Sequence, residues 1–418
     1  MPSIGGSCGI TVPETSVAAS LAAAVGVGTI AGIVNTIPSS TAIRTGARGQ
    51  CVLTSGLCLP RRIVASNRGS VMNTAVTLRT PLCRELGIDY PVFSAGIGTA
   101  AVPELVAAVS GAGGFGVLGA SPLDPIRIKA AIADIRRRTE RPFGANVIID
   151  DRDLSAEDRE ELRQQVAAAA EAQVAVIVLF WGDPAPYIKP AHERGVRVFI
   201  QVGSVEEAEA AAAAGVDAVI AQGVEAGGHV RGRTSIWDLL PLTVKAVSPL
   251  PVLASGGIGD GAGLARALTL GAQGVSLGTR FVASDEAWAH PAYKRRVVES
   301  AAADTVYNEL YDVWWPNAPH RTLRNKTLLE WEAAGRPAAG ARPREGMSIG
   351  TRRMGDGQVR DWPRYAIGVA TPDFDGDIEY APLWAGESCS VVNDIKPAAQ
   401  IVRDLIRQAE AALEASSG

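Results

Sequence analysis

The chain has 418 residues, of which 47% are hydrophobic and 20% are charged, with 45 Gly and 25 Pro. This apolar content excludes an intrinsically disordered chain, and the Gly and Pro content is too low for a fibrous protein. The 40 basic and 44 acidic residues give a net charge of -4 with no run rich in Lys and Arg, so we expect no nucleic-acid partner.

The first 71 residues differ from the rest of the chain. The apolar run over residues 17–37 is rich in Ala, Gly and Thr, and no Lys or Arg precedes it, so neither a signal peptide nor a membrane span is predicted. The stretch that follows has no helical or strand period, and we expect residues 1–71 to be mostly disordered. Because the globular pattern begins at Met72, we interpret that residue as the native start, which the intact mass of the protein from its own host would test.

The cysteines and histidines are too dispersed to predict a metal site. The five Cys residues form no C-x-x-C pair and no zinc-like cluster with the four His residues. An odd, scattered set of cysteines is typical of reduced thiols, and we therefore expect a cytoplasmic protein.

From Pro91 onward, short apolar runs alternate with Ala-rich amphipathic segments. Each run is continuously apolar, which is typical of strands buried on both faces of a parallel sheet. One of the helical segments begins with Ser204 and Glu207 in the spacing of a capping box. The predicted strands lie at residues 91–96, 114–120, 143–149, 174–181, 196–202, 217–223, 251–256 and 274–281.

Eight strand-helix units indicate an α/β fold of the (β/α)8 class, the TIM barrel. An open, doubly wound sheet is the alternative, and it is disfavoured because the first strand lacks a G-x-G-x-x-G turn. Residues 285–394 break the alternation, and we interpret them as an insertion over the C-terminal mouth. Residues 395–414 have apolar side chains at helical spacing and are predicted to form the closing helix, so that residues 72–418 make one barrel domain.

Glycines follow the last two predicted strands, where barrel enzymes hold their sites. Strand seven ends in Ser255-Gly256-Gly257, and strand eight ends in Gly278-Thr279. Glycine lets backbone N–H groups approach phosphate oxygens, and the start of the next helix favours an anion. Since loops after strands seven and eight commonly bind phosphate in this fold, we predict a phosphate site, with tight turns that bind nothing as the alternative.

His229 follows the paired glycines Gly227 and Gly228, after strand six. The pattern predicts a flexible loop at the catalytic end of the barrel. Histidine titrates near neutral pH, which suits proton abstraction from a weak carbon acid, whereas a surface-loop histidine is the alternative. The other three histidines are interpreted as solvated or structural side chains: His192, His290 and His320.

Two amides interrupt apolar strands near their C-terminal ends. Asn146 lies in strand three and Gln201 in strand five. A buried amide needs a hydrogen-bond partner, which the edge of a heteroaromatic ring or a neighbouring backbone group supplies equally well. The residues alone leave both interpretations open.

Five segments of the chain resemble the nitronate monooxygenase family, formerly called 2-nitropropane dioxygenases. The EAGGH run at residues 225–229 is the most specific part, whereas the loops after strands seven and eight are shared with many FMN barrels. The resemblance extends over residues 85–415 and excludes the first 71 residues. The segments are residues 80–92, 103–119, 221–232, 252–281 and 318–325.

The resemblance implies an FMN-dependent barrel that oxidises alkyl nitronates or nitroalkanes with O2 to a carbonyl compound and nitrite. It implies that His229 is the catalytic base. The FMN residues that it implies are Ala95, Gly96, Asn146, Gln201 and Gln222 around the ring, Gly227 and Gly228 beside the flavin, and Ser255, Gly256, Gly257, Gly278 and Thr279 around the phosphate.

One departure from the family leaves the physiological substrate open. Many members carry Gln-Ala-Pro-Met at the end of strand one, where this chain has Ser-Ala-Gly-Ile at residues 94–97. Aromatic residues of the insertion match no motif that would identify a substrate: Tyr307, Tyr311, Trp314 and Trp315.

Other functions are compatible with parts of this pattern. A flavin enoyl-[acyl carrier protein] reductase shares the barrel and an EAGGH-like loop, but it would need NADH or NADPH and a long acyl channel. A catalytically silent FMN-binding protein is a further alternative, which His229 disfavours. A relative of inosine-monophosphate dehydrogenase is excluded, because its catalytic Cys has no counterpart between Cys83 and Cys389. We expect no membrane partner, and a homo-oligomer is left open.

Overall fold

A computed structural model describes residues 77–150, 152, 154–353 and 358–417 of the chain. The predictions that residues 1–71 are disordered and that Met72 is the native start lie outside the described residues. Among the helices of the described part, none is both long and apolar enough to cross a bilayer.

Eight parallel strands close into the predicted TIM barrel. Along the sheet they follow the order one, eight, seven, six, five, four, three, two. The ring closes because Ser94 donates its N–H to the Phe115 carbonyl at 3.0 Å and Phe115 donates to the Val92 carbonyl at 2.8 Å. The strands span Val92–Ser94, Gly116–Gly119, Phe143–Ile148, Val176–Phe180, Arg197–Val202, Ala218–Gln222, Val252–Ser255 and Gly274–Leu277.

Each strand lies inside its predicted range, and strand eight shows the largest difference. The apolar run continues to Phe281, but the strand stops at Leu277 and a short helix, Thr279–Val282, follows with all four residues buried. A short apolar run does not distinguish a buried strand from a buried helix, so the sequence overextended this strand.

Helices surround the barrel and begin where the sequence provides caps. The Ser204 hydroxyl accepts the N–H of Glu207 at 3.2 Å, but the Glu207 carboxylate reaches back to the N–H of Gly203 rather than to that of Ser204. The barrel helices span Pro103–Gly111, Pro125–Arg138, Ala156–Glu171, Ala185–His192, Val205–Ala214, Ile236–Val247 and Gly261–Thr269.

The last helix, Ala398–Ser417, completes the outer ring of helices. It begins and ends three residues later than the predicted range 395–414. It packs closely on the helix Gly261–Thr269, because Gly261 has no side chain. A Cβ atom at residue 261 would lie 2.3 Å from the Cβ of Gln408. This contact requires glycine at the start of the neighbouring helix.

Apolar side chains fill the barrel below the site. The rings of Phe93 and Phe115 lie 5.0 Å apart within the ring of strands. Residues of the first helix, Pro81–Leu86, belong to the same core. Full burial of one such Leu or Phe side chain contributes about 1.5–3 kcal/mol to folding. The interior of the barrel is therefore closed by a packed apolar core.

Residues 285–394 form two small antiparallel sheets and further helices. One sheet joins Thr305–Asn308 and His320–Leu323 to the two-residue strand Gly228–His229, which follows strand six. This pairing places the region at the C-terminal mouth of the barrel. The remaining elements are the strands Ser348–Arg353, Val359–Pro363 and Phe374–Gly376 and the helices Pro291–Val298 and Lys326–Ala333.

Candidate functional site

His229 lies at the C-terminal mouth of the barrel, on a short strand rather than on the predicted flexible loop. It pairs with His320, and Gly228 pairs with Arg321. Gly228 has a φ of +76°, which L side chains rarely adopt, and a Cβ atom there would meet nothing within 4 Å. The strand partner lies far along the chain, so local pattern did not predict this pairing.

The hydrogen bonds of His229 define which ring nitrogen is available. Nδ1 lies 3.2 Å from the carbonyl oxygen of Ala318. Because a carbonyl only accepts, this contact assigns the ring proton to Nδ1 and leaves the lone pair on Nε2. No residue in the described ranges hydrogen-bonds to Nε2. The ring is thus oriented as a base whose free nitrogen remains available.

The surroundings of His229 keep its ring uncharged. Burial disfavours the imidazolium, and His320 nearby adds to this effect, so the pKa of His229 falls to about 3 against the opposing influence of the Ala318 carbonyl and Asp150. His229 is therefore a neutral imidazole at neutral pH.

Four aromatic rings surround the His229 imidazole, and we call this group the aromatic chamber. Their ring centroids lie 3.9 to 6.1 Å from that of His229, with Trp315 nearest. Such rings shield the imidazole from water. The members are Trp181 at the end of strand four, and Trp315, His320 and Trp384 from the region after the barrel.

His320 belongs to the chamber, and both of its ring nitrogens have hydrogen-bond partners. Its Nδ1 lies 3.0 Å from the Ala318 carbonyl, and its Nε2 accepts the backbone N–H of Tyr311 at 3.2 Å. Both nitrogens are therefore engaged, and burial lowers the pKa of His320 to about 4. This geometry agrees with the structural interpretation from the sequence.

The amide of Gln222 fixes the backbone that carries His229. Its Nε2 donates to the carbonyl of His229 at 2.9 Å, and its Oε1 accepts the N–H of Arg231 at 3.1 Å. Gln222 is buried at the end of strand six. Gln222, which is predicted to line the flavin ring, therefore holds the backbone on both sides of Val230.

Asn146, Gly96 and Gln201 lie at the ends of strands three, one and five. The Asn146 amide donates to the carbonyl of Val178 at 3.0 Å, so one of the two interpretations, a backbone partner, is realised. Gly96 allows this packing, because a Cβ there would lie 2.3 Å from the Cβ of Asn146. Gln201 is half-buried and lines a cleft of about 300 Å³ together with Trp181. Their contact with a flavin stays a prediction.

The glycine loops after strands seven and eight lie side by side, as predicted for a phosphate site. Gly256 and Gly257 have φ values of +96° and +69°, and both backbone conformations favour glycine. A Cβ atom at Gly278 would meet nothing nearer than 3.5 Å, and its neighbours are Ile97 and Ala95. The first, seventh and eighth strands thus end in adjacent backbone. This backbone is open at Gly278, whereas the side chains of Ala226 and Glu225 pack against Gly256 and Gly257. Ser255 is buried at the end of strand seven.

Gly227 and Thr279 contact the region after the barrel. A Cβ atom at Gly227 would lie 2.4 Å from the backbone nitrogen of Gly386. The Thr279 hydroxyl accepts the N–H of that same Gly386 at 2.9 Å. A protein contact therefore explains why residue 227 is glycine, and its place beside a flavin stays a prediction.

Two carboxylates at the site escaped the sequence analysis. The Glu225 side chain accepts hydrogen bonds from the Ser235 hydroxyl at 2.5 Å and the Ile236 N–H at 3.0 Å, at the start of the helix Ile236–Val247. Asp150 accepts a hydrogen bond at 2.7 Å from the indole nitrogen of Trp315. The EAGGH run contains Glu225, but only the fold shows its partners.

Comparisons with known proteins identify the family of the chain. A family model described as nitronate monooxygenase matches residues 79–408. A (3aS,4S,5R,7aS)-5-hydroxy-7a-methyl-1-oxo-octahydro-1H-indene-4-carboxyl-CoA dehydrogenase of Mycobacterium tuberculosis is 33% identical, over 81% of this chain and 98% of the relative.

Two solved structures share the fold over nearly their whole length. FabK from Thermotoga maritima is 30% identical with a TM-score of 0.66, and the match covers 82% of this chain and 99% of that one. The nitroalkane oxidase from Streptomyces ansochromogenes is 27% identical with a TM-score of 0.64, covering 79% and 99%. The family model matches well over half of the residues of this chain. The chain therefore belongs to the nitronate monooxygenase family.

Proposed function

We propose that this protein is an FMN-dependent nitronate monooxygenase that converts alkyl nitronates or nitroalkanes and O2 into a carbonyl compound and nitrite. The observation that carries the proposal is the unprotonated Nε2 of His229, which no described residue occupies, inside an aromatic chamber at the barrel mouth. The similarity to a nitroalkane oxidase supports the same class of oxidoreductase.

The strand ends fit FMN as the cofactor. Backbone N–H groups of the loops at Gly256, Gly257 and Gly278 would hold the phosphate, because none of these three residues carries a side chain of its own. Trp181 has a buried indole nitrogen without a partner in the described part of the chain, and an added polar ring would satisfy it. When bound, the flavin supplies the electron acceptor and the reaction with O2.

His229 would take the proton from the carbon next to the nitro group. A neutral Nε2 lone pair is the form of imidazole that accepts a proton, and Gln222 and Ala318 hold the ring and its backbone in place. The negative charge that develops on the substrate then favours the imidazolium. The rings of Trp315 and Trp384 would exclude water from this transfer.

The low pKa of His229 predicts a flat acid limb in the pH profile. A base acts in its unprotonated form, and His229 stays unprotonated until the pH falls towards its pKa of about 3. We expect kcat/KM for a neutral nitroalkane to stay constant between about pH 8 and pH 5, whereas a histidine with the ordinary pKa of about 6.5 would lose more than tenfold. A loss of that size, centred near pH 6.5, would contradict the low pKa of His229.

The reaction class is tested by mixing the flavin-loaded protein anaerobically with one reductant at a time. We expect a nitronate to bleach the flavin absorbance near 450 nm within one turnover and NADPH to leave it unchanged. Admitting O2 after the nitronate should restore the absorbance and release nitrite. Rapid bleaching by NADPH alone would refute the assignment, and bleaching by neither would indicate a silent flavoprotein.

A second candidate is an NAD(P)H-dependent oxidoreductase that acts on an acyl thioester. It is favoured by the similarity to a relative named as a carboxyl-CoA dehydrogenase and by the departure from the family pattern at residues 94–97. An acyl thioester would use His229 as a proton donor or acceptor in the same chamber. The anaerobic experiment separates the two candidates, because only this one requires rapid reaction with the nicotinamide.

A further inference from the structure

Trp315 covers one side of the His229 ring and is the nearest wall of the aromatic chamber. Their ring centroids lie 3.9 Å apart at an interplanar angle of 44°. Trp315 also contacts Trp181, another member of the chamber, with ring centroids 5.2 Å apart. The position of this indole therefore limits the space beside the His229 ring, and whatever holds the indole also sets that space.

The indole is anchored to the barrel by one hydrogen bond. Trp315 lies in the region after the barrel, and its Nε1–H donates to Oδ2 of Asp150, which follows strand three, at 2.7 Å. The guanidinium of Arg152 donates to both oxygens of the same carboxylate, at 2.8 and 2.6 Å. Burial alone would raise the pKa of Asp150, but hydrogen bonds from Arg152 and Trp315 lower it on balance, so the acceptor is charged.

The backbone on either side of Trp315 is held in an unfavourable conformation. Trp314 has a φ of +76° and Asn317 a φ of +53°, both in the left-handed region. Such conformations persist where surrounding contacts impose them, and they concentrate at functional sites. Trp314 is 58% exposed, so its own packing gives it little support. The hydrogen bond from Trp315 to Asp150 is one of the contacts made within this segment.

We propose that Asp150 is a positioning residue, which holds Trp315 as the wall that restricts the chamber to short-chain substrates. This inference rests on the proposed function for its substrate series. Asp150 itself contacts the indole, and the indole contacts the base. Loss of the carboxylate should free Trp315 and enlarge the chamber while His229 keeps its hydrogen bond to Ala318.

Four variants separate the hydrogen bond from the charge. Asp150→Ala removes the acceptor, and Trp315→Phe removes the donor but keeps a ring. Asp150→Asn removes the charge but retains an oxygen that accepts the indole N–H, so it is the matched control. In the double variant, the Asp150→Ala change should add nothing to Trp315→Phe, because residues that act through one contact are not additive.

The first measurement is the ratio of kcat/KM for 1-nitrohexane nitronate to kcat/KM for nitroethane nitronate. We expect Asp150→Ala and Trp315→Phe to raise this ratio by about tenfold or more, since steric discrimination in an apolar pocket reaches this size. Asp150→Asn should keep the wild-type ratio. The ratio does not depend on the fraction of active protein, so a merely structural defect leaves it unchanged.

The second measurement needs no turnover. Diethyl pyrocarbonate modifies neutral imidazoles, and mass spectrometry of peptides gives a rate for each histidine. We expect His229 to react several-fold faster in Asp150→Ala and Trp315→Phe than in the wild type and Asp150→Asn. His192, which is exposed and contacts Asp217, calibrates the reagent, and faster reaction of buried His320 would reveal unfolding.

The outcomes distinguish this proposal from the proposed function. Faster modification of His229 without turnover of any nitronate would support Asp150 as a positioning residue and refute the nitronate assignment. Wild-type modification rates together with a wild-type size ratio in Asp150→Ala and Trp315→Phe would overturn the proposal. So would an Asp150→Asn variant that behaves as Asp150→Ala does, since the charge rather than the hydrogen bond would then act.

Discussion

Replacing His229 with asparagine is expected to lower kcat/KM for a neutral nitroalkane by about 10²- to 10⁴-fold, the usual cost of losing a general base. Asparagine has an N–H that can still donate to the Ala318 carbonyl, so the short strand Gly228–His229 should keep its place. It has no basic nitrogen to accept the substrate proton. Steady-state nitrite release with nitroethane measures the effect.

A preformed nitronate provides the internal control for this variant. The anion has already lost the proton that His229 would remove, so its turnover should fall far less than that of the neutral nitroalkane. His192→Asn is the matched variant, because His192 lies on an outer helix and contacts Asp217. Flavin absorbance should be equal in all three proteins. Equal losses for the nitronate and the nitroalkane would remove His229 from the role of base.

The barrel was predictable because each strand carries its own signal. A strand such as Val176–Phe180 is buried on both faces, so its apolar run identifies it without reference to its neighbours. The same holds for the helix Val205–Ala214, whose cap lies within its own sequence. The end of strand eight was mispredicted for the same reason, since the apolar run continues into the helix Thr279–Val282.

Only those residues of the candidate site that follow the barrel strands were predictable from the sequence. His229 and the glycine loops follow strands directly, so the rule that barrel sites lie at strand ends finds them. The chamber wall formed by Trp315 and Trp384 comes from the region after the barrel, where the elements are short and pair over long distances in the chain. The anchor on Asp150 joins two loops 165 residues apart, and no local pattern encodes such a contact.

Glu225 shows why an acidic residue precedes the glycines of the EAGGH run. Its carboxylate is buried and accepts two hydrogen bonds at the start of the helix Ile236–Val247, where the helix dipole also favours a negative charge. It lies beside Gly257 in the loop after strand seven, where a Cβ atom would be 3.1 Å from the Cβ of Glu225. One side chain thus joins the loop of the base to the loop predicted for the phosphate.

Glu225→Ala is therefore expected to destabilise the fold by about 1–3 kcal/mol, because it leaves the buried Ile236 N–H without an acceptor and removes the partner of the half-buried Ser235 hydroxyl. The Cγ and Cδ atoms that lie beside Gly257 are lost with it, so the purified variant should also retain less flavin. The midpoint of urea denaturation, followed by circular dichroism, measures the first effect, and the absorbance ratio at 450 and 280 nm measures the second.

Glu225→Gln is the matched control for this prediction. Its amide oxygen can accept the Ile236 N–H, and its amide nitrogen can donate to the Ser235 hydroxyl, so both contacts survive. Only the charge beside the helix start is lost, which costs about 0.3–1 kcal/mol. A large gap between the two midpoints would therefore assign the stability to hydrogen bonding. Equal midpoints for Glu225→Ala and the wild type would mean that the two donors find other partners and that Glu225 does not hold the loops together.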